Sequence, residues 1–124
     1  MPTTLVPPVL PSSRRARWHG VLVEFVFDAE LWRWDARPDA AWTFVSLPAD
    51  ASAEIADLVA GGAPRGFGAV RVEVRVGLSR WRTSVFPDAG RGVYVLPVKR
   101  AVRTAQHWEL GGTATVHLQV LLDP

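Results

Sequence analysis

Residues 69–86 read AVRVEVRVGLSRWRTSVF. Val70, Val72, Val74 and Val76 recur at every second position, with Arg71, Glu73 and Arg75 between them, so one face of this strand is core and the other polar. Gly77 and Ser79 suit a tight turn, and WRTSVF then returns as a partner strand closed by Pro87 and the Asp88–Gly92 loop. A β-hairpin at the centre of the chain sets the fold class.

Working outward, GVLVEFVFDAELWRW (20–34) is rich in branched and aromatic residues and reads as one long strand or a bent pair, with Val21, Val23, Phe25 and Phe27 on one face. WTFVSL (42–47) reads as a further strand ending at Pro48. Asp50 is the expected N-cap of a short helix over ASAEIADLVA, whose Ile55, Leu58 and Val59 share a face. GGAPRGFG (61–68) stops that helix and supplies a glycine-rich loop. Downstream, a short strand at 93–96 leads into a helix expected to begin at Pro97, and TATVHLQVLL is the last strand. Many short strands punctuated by turns, with two short helices, predict a mainly β fold, a barrel or sandwich carrying helical plugs.

A chain of 124 residues, nearly half of them apolar, fits one domain with a real core. The Pro-rich, basic residues 1–19 read as a flexible tail and residues 20–124 as a single domain. No apolar run approaches the ~18–20 residues of a membrane helix, and the N-terminus lacks the order of a secretory signal, so a cytoplasmic location is expected. The absence of cysteine excludes disulfides and thiolate metal sites.

Charge is divided along the chain. Residues 20–60 carry eight acids against two arginines, whereas residues 65–103 carry nine bases against two acids. Such polarity fits either self-complementary packing or a surface that faces an anion. YVLPVKRAVR (94–103) concentrates it, placing Lys99, Arg100 and Arg103 where a helix N-terminus is already positive, and Leu96 has no side-chain oxygen to cap that helix. Water, carboxylates from the acidic first half of the chain or a bound anion must satisfy those N–H groups, and ringed by basic side chains they form an anion site.

Familiar catalytic constellations are missing. His19, His107 and His117 have no metal-ligand spacing, Ser84 lacks the context of a hydrolase elbow, and RGFG lacks the Lys and Ser or Thr of a phosphate-binding loop. No metal and no cofactor are expected. Six tryptophans are more than a small barrel can bury, so one or two are expected to line a pocket beside arginine.

WTFVSLP (42–48), RGFGAVRV (65–72), WRTSVFP (81–87) and YVLPVKRAVR (94–103) resemble, in order, the signature blocks of the domain of unknown function 1905 family. The resemblance implies a small double-split β-barrel, related in architecture to the swapped-hairpin barrels of AbrB and MazE-like transcription factors. LPVKRAVRTAQHWELGGTATVHLQV is similar to the AbrB-type pattern, with Gly112 where that pattern has Asp. The expected fold is therefore mainly β, a small closed or double-split β-barrel with two short helices.

The expected function is non-enzymatic binding of a small anionic or aromatic ligand, in a cleft between the RGFG loop and the Pro97 helix. Lys99 and Arg103 would supply charge, Arg65 and Arg71 a planar fork, Trp42, Phe67, Trp81 and Tyr94 apolar walls, and Ser84 a hydroxyl. Two other readings stand beside it. A dimeric AbrB-like DNA-binding protein would use the same Arg and Trp residues, although the net charge of +2 and the interleaving of bases with core positions speak against it. A cofactor-free enzyme would orient a natural-product intermediate in the same cleft. The chain could act as a monomer or a homodimer.

Overall fold

The computed structural model describes residues 12–16, 23–34, 42–60 and 68–121. In chain order the elements are β1 (Ser12–Ala16), β2 (Val23–Glu30), β3 (Trp32–Trp34), β4 (Trp42–Ser46), α1 (Ala49–Val59), β5 (Val70–Val76), β6 (Ser79–Asp88), β7 (Val93–Pro97), α2 (Arg100–Gln106) and β8 (Thr113–Val120). All ladders are antiparallel, and the strand order is β1-β2-β8-β5-β6-β7-β4-β3. β2 to β8 curl until β2 touches β4, giving a half-barrel with two helices. The expected mainly β, barrel-like fold with two short helices is the one adopted. β1 lies within the segment read as a tail and pairs along β2. Among the described residues no helix is long and apolar enough to cross a membrane.

The interior follows from period two. Phe25, Phe27 and Ala29 of β2, the four valines of β5, and Val116, Leu118 and Val120 of β8 are all buried on the concave side. Burying a Val, Leu or Phe side chain contributes about 1.5–3 kcal/mol. These three neighbouring strands therefore carry much of the stability.

Residues 23–34 form the bent pair. The bend is at Leu31, only 1% exposed, whose N–H donates to the Gly112 carbonyl at 3.0 Å and whose carbonyl accepts the Gly111 N–H at 2.9 Å. The Gly112 carbonyl also accepts the indole N–H of buried Trp108 at 2.9 Å. A Cβ at Gly112 would lie 2.9 Å from the Glu109 carbonyl oxygen, so this corner has no room for the Asp of the AbrB-type pattern.

The β5–β6 hairpin turns through Gly77 and Leu78. Gly77 has φ +59°, the left-handed region that a two-residue II′ turn asks of its first central residue. Beside it, the Gln106 amide donates to the Ser79 hydroxyl at 2.9 Å, tying the end of α2 to the hairpin.

Both helices start elsewhere than the sequence suggests. α1 has Pro48, not Asp50, at its N-cap, and Ser52 N–H closes the first turn on the Pro48 carbonyl. Asp50 sits inside the first turn, where a carboxylate meets the positive helix end. α2 begins at Arg100, with Lys99 as an extended N-cap, because Pro97 is still paired with Phe44 as the last residue of β7. Val98, Val102 and Trp108 are buried, whereas Ala101 and Ala105 are exposed.

Candidate functional site

The β6–β7 ladder consists of three pairs, Phe86–Val95, Pro87–Tyr94 and Asp88–Val93. β7 then turns its pairing to β4, through Ser46–Val95, Val45–Leu96 and Phe44–Pro97. Upstream of Phe86, β6 follows β5 instead, from Ser79 to Val85. The sheet therefore splits between the first half of β6 and the β4–β7 pair, and α2 sits over the split.

A cleft of about 530 Å³ occupies this notch. Trp81, Arg82 and Thr83 form the β6 wall, and Trp42, Thr43 and Phe44 the β4 wall. Pro97, Val98, Lys99, Arg100 and Arg103 close it from the end of β7 and from α2. The β4 wall is locked to the helix start. Val98 N–H donates to the Thr43 carbonyl at 2.9 Å, and the buried Thr43 hydroxyl donates to the Val98 carbonyl at 2.7 Å.

Four of the residues expected at a site meet in this cleft: Trp42, Trp81, Lys99 and Arg103. Arg65 and Phe67 lie outside the described residues. The remaining expected residues are placed apart by register. Arg71 pairs with Ser84 on the face opposite the buried valines, and neither is in the described cleft wall, although Arg82, two residues before Ser84, is. Tyr94 is buried where β6 and β7 are still paired, its N–H donating to the Ser52 hydroxyl at 3.0 Å, and burial pushes its phenol pKa up. Gly68 stands against Pro87 at that same closed end.

The cations are arranged differently from the sequence expectation. Only Lys99 and Arg100 stand at the positive end of α2; Arg103 falls in its last turn, where a cation is favourable. Among the described residues no carboxylate pairs with any of the three, and the Nε–H of Arg103 is buried without a hydrogen-bond partner. Arg82 is partly neutralised: its Nε lies 3.0 Å from Glu73 Oε1, a carboxylate that it shares with Arg80.

Aromatic rings continue from the cleft across the outer face of β4 and β3. Trp42 meets Trp34 edge-on at 6.0 Å and Phe44 at 6.3 Å, and Phe44 stacks on Trp32 at 5.2 Å. The Arg91 guanidinium covers Trp32 at 3.7 Å and is held by Asp88 at 2.9 Å. Trp34 and Trp42 are 46% and 56% exposed, which answers where the surplus tryptophans go. Partial desolvation pushes the Asp88 carboxyl up, but hydrogen bonds and charge from Arg91 and the Gly90 N–H outweigh it and hold the pKa below its ordinary value.

Phe44, Arg82 and Thr83 join the site without having been expected there, and Arg100 comes with the cation cluster read along the chain. The alternation in WRTSVF gave a signal for Arg82 and Thr83, but which strand borders the split is a matter of long-range pairing.

A small, mainly β half-barrel with a basic, aromatic-walled cleft in the split between β6 and the β4–β7 pair is the class of protein that these features define. The chain belongs to the family described as Domain of unknown function (DUF1905), whose model matches residues 27–118 and so spans every described wall of the cleft. Comparison with curated proteins finds no match.

Proposed function

We propose that this half-barrel binds a small anionic or aromatic ligand in the cleft between β4, β6 and α2. The observation that carries the proposal is the convergence of Lys99, Arg100 and Arg103, unpaired among the described residues, with Trp42, Phe44 and Trp81 on one hollow of about 530 Å³. Pockets of 300–1,000 Å³ with apolar walls and a few polar groups are the usual form of a small-molecule site.

The test is a melting-shift screen of small carboxylates, phosphates and aromatic compounds on the wild-type chain, Lys99→Ala and Arg103→Ala. Ligand-induced shifts should shrink in both variants. Shifts that persist undiminished in both would sink the proposal. Native mass spectrometry of protein purified from its own host would report a retained ligand and the oligomeric state together.

The exposed Trp34–Trp42 pair next to the cations gives nucleic-acid binding a specific observation of its own. Fluorescence anisotropy with duplex and single-stranded oligonucleotides at two salt concentrations separates it from the small-ligand case, since phosphate contacts impose a steep salt slope.

A further inference from the structure

We infer that the ligand of the cleft is an aromatic phosphate monoester, its phosphate held by Lys99, Arg100 and Arg103 and its ring laid against Trp42 or Trp81. The inference rests on the small-ligand proposal above and narrows its chemistry.

Charge is the first reason. Lys99, Arg100 and Arg103 bring three positive charges to the α2 side of the cleft, with no carboxylate paired to them among the described residues. The nearby Glu73 is already engaged by Arg80 and Arg82. A monocarboxylate would leave about two of these charges uncompensated, whereas a phosphate monoester, carrying roughly −1.5 to −2 at neutral pH, compensates most of them.

Donor geometry is the second reason. Two of the three cations are arginines, whose planar forks match the oxygens of a phosphate, and lysine adds a point charge. The buried Nε–H of Arg103 has no acceptor among the described residues, and a small side-chain shift would let a ligand oxygen satisfy a donor of this guanidinium. Three phosphate oxygens can serve three cations at once, as two carboxylate oxygens cannot.

Size and surface are the third reason. A volume of about 530 Å³ far exceeds what a lone inorganic phosphate would fill, and Trp42 and Trp81 stand on opposite strands that border the same hollow. A flat ring between the β4 and β6 walls would meet indole surface while its phosphate reached α2. The ring supplies apolar burial and the phosphate fixes the orientation.

The experiment titrates the wild-type chain with phenyl phosphate, adenosine 5′-monophosphate, benzoate, adenosine and inorganic phosphate, following intrinsic tryptophan fluorescence and heat. At least one of the two aromatic phosphates should bind tenfold or more tightly than benzoate, adenosine and inorganic phosphate. Arg103→Lys, which keeps the charge and loses the fork, should weaken it about tenfold, and Lys99→Ala, at an exposed N-cap, should do likewise while its melting curve stays cooperative. Benzoate binding as tightly as phenyl phosphate would overturn the inference and leave the small-ligand proposal standing. Equal affinity for inorganic phosphate would overturn the role given to the ring. If none of the five probes binds, the inference falls, and the broader screen decides the proposal beneath it.

Discussion

Replacing Arg103 with Met should make the ligand-free protein more stable and the cleft less able to bind. Met keeps an unbranched apolar stem along the wall and removes both the charge and the stranded Nε–H. A buried donor without a partner costs about 1–3 kcal/mol. Relief of the like-charge pairs with Lys99 and Arg100, four and three residues away, adds about 0.2–0.5 kcal/mol each. Against this, a cation in the last turn of α2 is lost, worth roughly 0.3–1 kcal/mol. The net gain centres on about 2 kcal/mol, and for a chain of this length each kcal/mol moves Tm by about 3–6 °C. Thermal denaturation followed by circular dichroism should therefore show a midpoint several degrees higher in Arg103→Met. The melting shift produced by whichever probe the wild-type protein binds should be lost in the same variant. Stability exchanged for function in this way marks a side chain kept for binding. A lower Tm in the variant, with probe binding unchanged, would show that Arg103 is a structural residue already satisfied in solution.

Gly112→Ala should destabilise the chain by about 1–3 kcal/mol, because the new Cβ is driven to within 2.9 Å of the Glu109 carbonyl at the corner that anchors Leu31 and Trp108; the urea midpoint checks it. Thr43→Val removes the buried hydroxyl bond to the Val98 carbonyl and should cost about 1–3 kcal/mol, with a loss of probe affinity that accompanies the loosened start of α2. Asp88 has a folded pKa below its unfolded one, so its stabilising contribution is present above the unfolded carboxylate pKa and is lost as pH falls through the folded value. The Tm gap between wild type and Asp88→Asn should accordingly be open at neutral pH and close in acid; a gap independent of pH would show that the carboxylate charge is not what holds Arg91.

Alternation alone disclosed the core of this protein. Val70 to Val76 on β5 and the Phe25, Phe27 pair on β2 must face inward in any sheet that buries them, because side-chain direction in a strand is a local property with a fixed period. Turn chemistry disclosed the hairpin in the same way, through Gly77. The clustering of Lys99, Arg100 and Arg103 was also visible along the chain, as was the excess of tryptophan.

The cleft itself was not local. Trp42, Trp81 and Lys99 come from three distant segments, and they meet because β7 changes partner from β6 to β4 at Val95, a choice that no single strand encodes. Register decided that Arg71 and Ser84 turn outward and that Tyr94 lies at the closed end. Pairing with Phe44 kept Pro97 in its strand and delayed α2 to Arg100, which moved Arg103 from the positive end of the helix to its last turn. Sequence fixes what each residue prefers of itself and its near neighbours; only the folded sheet, where backbone hydrogen bonds between remote strands must all be satisfied together, fixes which of those residues share a hollow.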